Sequence, residues 1–181
     1  KDFERVHKLR SECDAIIVGI GTIIEDNPFL TVRNNSGAKP IRVILDTSCR
    51  IPIDSNVLNG ESETIIAVGN KSGKNNLETA EIIECGENMI DLTKLLNILR
   101  ERGVKRVLVE GGETVMWSFL KEKLFDEHNV FFSSIIIGGT GTPTIAGGKG
   151  FQNEKSILNL KLVSVEQLGN GILAKYIKKE N

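Results

Sequence analysis

The chain predicts an α/β fold: a mixed sheet, mainly parallel, with antiparallel C-terminal strands and helices on both faces. Three observations carry this. Segments 14–19, 41–46, 64–68 and 107–109 are short apolar runs of the length and composition of strands covered on both faces. Between the third and fourth, Leu92, Leu95, Leu96 and Leu99 fall on one helical face, which makes a crossover helix that returns the chain parallel to its neighbours. Beyond residue 128 the pattern changes to longer strands without intervening helices.

Taken in order, residues 2–10 form a short helix with Phe3, Val6 and Leu9 or Arg10 along one stripe, leading into the strand at 14–19. Gly21 and Thr22 open a helical turn that Pro28 closes. Gly19 and Gly21 begin like a dinucleotide fingerprint, but the third glycine position is Ile24, so the full pattern fails. The strand at 41–46 ends in Thr47, Ser48 and Arg50, two hydroxyls and a guanidinium that read either as an anion clamp or as a polar turn. Strands follow at 64–68 and 80–85. Asp91 is a good N-cap for the crossover helix, and Gly103 sits where a helix-ending glycine belongs. Strands at 128–138, 160–168 and 172–179 complete the chain, with Gly169, Asn170 and Gly171 as a hairpin turn. Between the first two of these, residues 138–150 form a small-residue loop that either folds over a ligand or merely connects.

The most informative stretch is the run Val107, Leu108, Val109, which stops at Glu110, Gly111 and Gly112 and turns straight into a helix. Unpaired N–H groups at such a helix start suit a phosphate or pyrophosphate, although the same turn also serves as a plain corner. Glu110 stands at the C-terminal end of a central strand, where open α/β sheets bind ligands; the alternative is a salt-bridged surface acid.

At 181 residues and a net charge of −1, the chain fits one domain and lacks the basic excess of a nucleic-acid or anionic-membrane binder. Any anionic ligand must be held by local groups. Cys13, Cys49 and Cys85 are odd in number and lie in or beside apolar runs, as small buried hydrophobes in a reducing compartment do. His7 and His128 have no partner at ligand spacing, so no metal is expected. No apolar run reaches the length of a membrane span and no secretory signal opens the chain, which together point to the cytoplasm.

In combination, the text from Asp14 to Arg33, from Ile41 to Pro52, Val109-Glu-Gly-Gly-Glu-Thr114, and Ala146-Gly-Gly-Lys-Gly-Phe151 resembles the riboflavin-biosynthesis pyrimidine reductases of the dihydrofolate-reductase-like fold. The resemblance runs in order over nearly the whole chain. It implies reduction, by NADPH with NADH as the alternative, of the ribose of a ribosylaminopyrimidine 5′-phosphate to ribityl. It implies that Thr22 and Asp26 touch the cofactor, that Thr47 and Ser48 lie near its adenosine end, and that Gly111, Gly112, Glu113 and Thr114 cradle its pyrophosphate. Arg10, Leu30 and Arg33 would then meet the substrate, the two arginines holding its phosphate as guanidiniums do. Glu110 would be the catalytic group facing the sugar or the pyrimidine, a general acid in ring opening or, the preferred reading, a group that orients a hydroxyl. An anion there also suits a cationic imine that becomes a neutral amine.

Members of that family begin with a strand carrying a Ser or Thr and an Asp-Gly. Residues 1–181 open at Lys1 inside the first helix, so the expectation is a single reductase domain from which that strand is absent. No His-Glu or Cys-x-x-Cys deaminase segment is present, which resembles the stand-alone archaeal or fungal type acting on the diaminopyrimidinone rather than the bacterial type acting on the aminouracil. A pterin or folate reductase fits the arginine pair less well, and a non-catalytic NADP-binding module is the remaining alternative. The family also forms homodimers, commonly through the later strands. Phe131, Phe132 and Ile135, Ile136, Ile137 offer apolar surface for that, with core placement the stronger reading for each one singly.

Overall fold

Side chains in a strand alternate between faces, and the central strands use this to build two cores. In the computed structural model, which describes residues 2–32, 37–70, 77–139, 141, 142 and 144–179, β1 (Ala15–Gly19), β2 (Ile41–Leu45) and β3 (Thr64–Val68) run parallel and adjacent. Ala15, Ile17, Val43, Ile65 and Ala67 enter one core; Ile16, Val18, Ile44, Ile66 and Val68 enter the other. β4 (Glu81–Glu84) extends the sheet at one edge and β5 (Val107–Gly111) at the other, giving the order β4-β3-β2-β1-β5. All four pairings are parallel.

α3 (Leu92–Glu101) covers the first core with Leu92, Leu95 and Leu99. Its ends are formed as the sequence indicates. The Asp91 side chain accepts from the Lys94 N–H at 2.9 Å. Gly103 takes the left-handed conformation at φ 87°, and the Val104 N–H reaches back to the Leu99 carbonyl. α4 (Glu113–Lys121) adds Val115 and Phe119 to the same core. α1 (Asp2–Ser11) precedes β1, with Phe3 exposed rather than packed, while Val6 and Leu9 are half-buried. α2 (Ile20–Asp26) buries Ile20 and Ile23 in the second core and ends where Asn27, left-handed at φ 41°, meets Pro28.

The late strands are β6 (Glu127–Phe132), β7 (Leu160–Leu168) and β8 (Gly171–Lys178), antiparallel in the order β6-β8-β7. Here the structure differs from the expected continuous sheet. β5 pairs only with β1 and β6 only with β8, so among the described residues two separate ladders form. Between them lies a cavity of about 930 Å³, lined on one side by Val107, Leu108 and Val109 and on the other by His128 and Asn129. For this reason β5, expected to be covered on both faces, is only half-buried over Val107, Leu108 and Val109.

β6 also stops at Phe132 rather than continuing to 138. Ile135, Ile136 and Ile137 leave the ladder and stand exposed, as does Phe132, which overturns the core reading of these side chains. An apolar run of this kind carries no alternation to show where pairing ends, and Gly138 and Gly139 beyond it both take positive φ. Cys49 and Cys85 are buried and Cys13 partly so, all three as free thiols. No helix among the described residues is long and apolar enough to cross a membrane.

Candidate active site

The site forms where β1 and β5 end side by side. Parallel pairing runs Ile17 with Val109, then slips, so that Val18 pairs with Gly111 and Glu110 is the extra residue of a bulge. Bulges re-aim a side chain, and this one does. Glu110 meets Arg10 of α1 in a two-pronged ion pair: Nε donates to Oε1 and Nη2 to Oε2, each at 2.6 Å. Both side chains are only 15% exposed, and Arg10 Nη1 donates further to the Thr31 carbonyl at 3.0 Å. Fork-to-fork geometry of this kind is the strongest form of the guanidinium–carboxylate contact.

Immediately beyond the bulge, Gly111 takes φ 121°, a conformation open to glycine, and the Gly111–Gly112 peptide is cis. Gly112 caps α4 without any side-chain hydrogen bond, so the first N–H groups of that helix have no side-chain cap. A Cβ on Gly112 would come within 3.6 Å of Thr22 Oγ1, which puts the Thr22 hydroxyl beside the glycine turn. Asp26 follows one turn later on α2 and is exposed. Gly19, ending β1, is held to its size by Val115 of α4, whose Cγ2 would lie 2.8 Å from a Cβ. Small residues thus bring the start of α2 and the start of α4 together.

On the next strand of the sheet, β2 ends in a turn governed by Asp46. The Asp46 carboxylate is fully buried and accepts from the Ile51 N–H at 2.8 Å, while its carbonyl accepts from the Cys49 N–H. Burial pushes this carboxyl above its ordinary range, against the hydrogen bonds that favour the charged form. Cys49 is left-handed at φ 53°, and the turn presents Thr47 half-buried and Ser48 exposed. The Arg50 guanidinium lies 3.8 Å from the free oxygen of Asp46 and is itself mostly exposed. The Thr47 carbonyl accepts from Gly69, tying the ends of β2 and β3.

A family model described as the RibD C-terminal domain matches residues 1–174. The chain belongs to the RibD C-terminal domain family. A protein of Aquifex aeolicus named 2,5-diamino-6-ribosylamino-4(3H)-pyrimidinone 5′-phosphate reductase is 39% identical over 168 residues, spanning 90% of this chain and 75% of that protein. One of the same name from Archaeoglobus fulgidus is 35% identical over 185 residues, 94% and 82% of the two chains. Among solved structures, Acinetobacter baumannii RibD superposes with a TM-score of 0.84 at 27% identity. It covers 99% of this chain, which spans about half of that longer protein, 50%. The mainly parallel sheet with its antiparallel appendage is therefore the fold of the RibD-type reductases.

Within this RibD-type domain, the structure brings Arg10 and Glu110 together and sets Thr22, Gly111 and Gly112 beside one another. Leu30 is buried in the second core, left-handed at φ 51°, directly before the Thr31 carbonyl that Arg10 uses. Arg33, expected at the substrate phosphate, lies outside the described residues. Arg10 itself does not stand free: three of its N–H groups are taken by Glu110 and Thr31. The role of Asp46 was missed from sequence, although an acid closing a buried strand was a readable signal. Nothing in the sequence signalled the pairing of residues 10 and 110, which is wholly a consequence of folding.

Proposed function

We propose that this chain catalyses the reductase step its relatives are named for. The substrate is 2,5-diamino-6-ribosylamino-4(3H)-pyrimidinone 5′-phosphate, and the ribose is reduced to ribityl with hydride from NADPH. The observation that carries this is the adjacency on β5 of two features. Glu110 is turned by a bulge toward Arg10, and the very next residues form an open glycine turn at a helix start. One feature suits a polar sugar, the other a pyrophosphate.

The residues present fit a nicotinamide dinucleotide. Gly111, Gly112 and Thr114 with Thr22 and Asp26 would hold it at the ends of β1 and β5, and Thr47 and Ser48 would meet its adenosine portion. Arg50, beside them, supports NADPH over NADH, because a guanidinium is what a 2′-phosphate requires. When bound, the cofactor supplies the hydride; the chain supplies alignment and exclusion of water. Glu110 orients a sugar hydroxyl and offers negative charge to the cationic imine that ring opening produces. Arg10 keeps Glu110 aimed, and with Arg33 takes the 5′-phosphate through its remaining N–H groups.

Exposed Ile135, Ile136, Ile137, Leu162 and Val165 support a homodimer through the later strands, in a cytoplasmic metabolic enzyme. NADPH consumption with the diaminopyrimidinone as substrate tests the reading. Preference for 5-amino-6-(5-phosphoribosylamino)uracil would instead assign the step after deamination, and cofactor binding without turnover on either compound would reduce the chain to a binding module.

A further inference from the structure

The connection from β6 to β7, residues 133–159, is long for a compact domain, and loops of that length tend either to work or to hang free. This one is fastened to α4. Glu113, the first residue of the helix, accepts through Oε2 from both the Thr144 N–H at 2.8 Å and the Thr144 hydroxyl at 3.0 Å. The Glu113 carbonyl accepts from the Gly147 N–H at 3.0 Å. One turn along the same helix, the Trp117 ring meets Phe151 edge-on with centroids 4.8 Å apart.

The glycines between these points are dictated by closeness. A Cβ on Gly147 would lie 2.8 Å from Glu113 Cγ and Cδ. One on Gly148, whose φ is 79°, would run into the Trp117 ring at Cδ1. The loop therefore lies flat on the helix whose N-terminus forms the glycine turn.

Resting on the function proposed above, we infer that Glu113 is a positioning residue. It holds the segment 144–151 against α4 as the outer wall of the dinucleotide cleft and does not itself contact the cofactor. The sign of its charge agrees. A carboxylate turned into the cleft would repel a pyrophosphate, whereas one turned outward at the first position of a helix stabilises the helix and leaves the N–H groups to the ligand. Trp117 and Gly148 form the second point of attachment, so the wall is held at both ends of the contact.

Lys149 is exposed within the loop and gives a reading of attachment independent of activity. Trypsin cleavage after Lys149 would be timed in the full chain for the wild type and for Glu113→Ala, Glu113→Gln and Thr144→Val, with thermal melts to confirm folding. Glu113→Ala is expected to accelerate cleavage roughly tenfold and raise KM for NADPH by a similar factor with kcat little changed, as loss of about two hydrogen bonds requires. Glu113→Gln, whose amide oxygen still accepts from Thr144, should restore most of the protection. Thr144→Val should show a smaller effect in the same direction. Unchanged cleavage in Glu113→Ala would overturn the inference whatever happens to KM, and a raised KM with unchanged cleavage would make Glu113 a direct contact. Faster cleavage in a chain that never consumes NADPH would retain the attachment and reject the reductase reading instead.

Discussion

The parallel and antiparallel sheets of this chain are built to different rules. In the parallel sheet β1 and β3 bury all five of their residues, and every member of both core clusters comes from that sheet, its helices and their connections. In the antiparallel sheet seven of the nine residues of β7 are exposed, and no residue of β6, β7 or β8 joins either cluster. One half closes on itself. The other presents Leu162, Val163, Val165 and Ile172 outward on a three-stranded sheet.

The widest contrast comes from truncating one residue in each half. Ile17→Ala, at a fully buried site on β1, should cost about 2–5 kcal/mol in chemical denaturation, independent of protein concentration. Val165→Ala on β7 should stay within about 0.5 kcal/mol in the monomer. Val165→Asp should shift the proposed homodimer toward monomer in sedimentation equilibrium. A variant that remains dimeric would remove β7 from the subunit interface and leave the open face unexplained.

The next largest effect lies where the two halves approach, at the Arg10–Glu110 pair. Arg10→Ala leaves a nearly buried carboxylate without its partner and removes the proposed phosphate donor, so kcat/KM should fall by at least about 30-fold, or 2 kcal/mol. Glu110→Ala should do comparable damage. The double variant should be scarcely worse than either single one, because the two side chains act as one unit. Additive losses would show that each works alone.

The same division explains what the sequence made legible. Parallel strands buried on both faces announce themselves as uninterrupted apolar runs, and the crossover helix by its leucines, so β1, β2, β3, α3 and β5 stand where expected. The Gly169-Asn170 hairpin was equally local. What escaped was non-local. Whether β5 and β6 share a ladder depends on what lies between them, and the end of β6 depends on its partner rather than on Ile135, Ile136 and Ile137 themselves. In the site, the glycine turn and its neighbour Glu110 were readable because strand, turn and helix are contiguous. The bulge that aims Glu110, the guanidinium that receives it and the loop fastened to Glu113 join residues far apart in the chain, which no periodicity encodes.

The smallest effect concerns how β5 is held to the closed half. Asp14, just ahead of β1, accepts through Oδ2 from the Lys105 and Arg106 N–H groups at 2.8 and 2.9 Å, fixing where β5 begins. Those backbone donors, Arg106 first, hold its carboxyl below the ordinary carboxylate range. A depressed folded-state pKa means that the unfolded chain binds the proton more readily. The stabilisation is therefore present above the unfolded value and is lost as pH falls through the folded one. Because the side chain is exposed, screening keeps the worth of Asp14 to about 1 kcal/mol or less. Asp14→Ala should thus cost that amount at neutral pH and nothing in strong acid, read from urea midpoints at both. Asp14→Asn, which keeps an acceptor without the charge, should lose most of this pH dependence while retaining part of the stability. An equal penalty for Asp14→Ala at both pH values would mean that the contact is steric and that β5 is registered by its pairing with β1 alone.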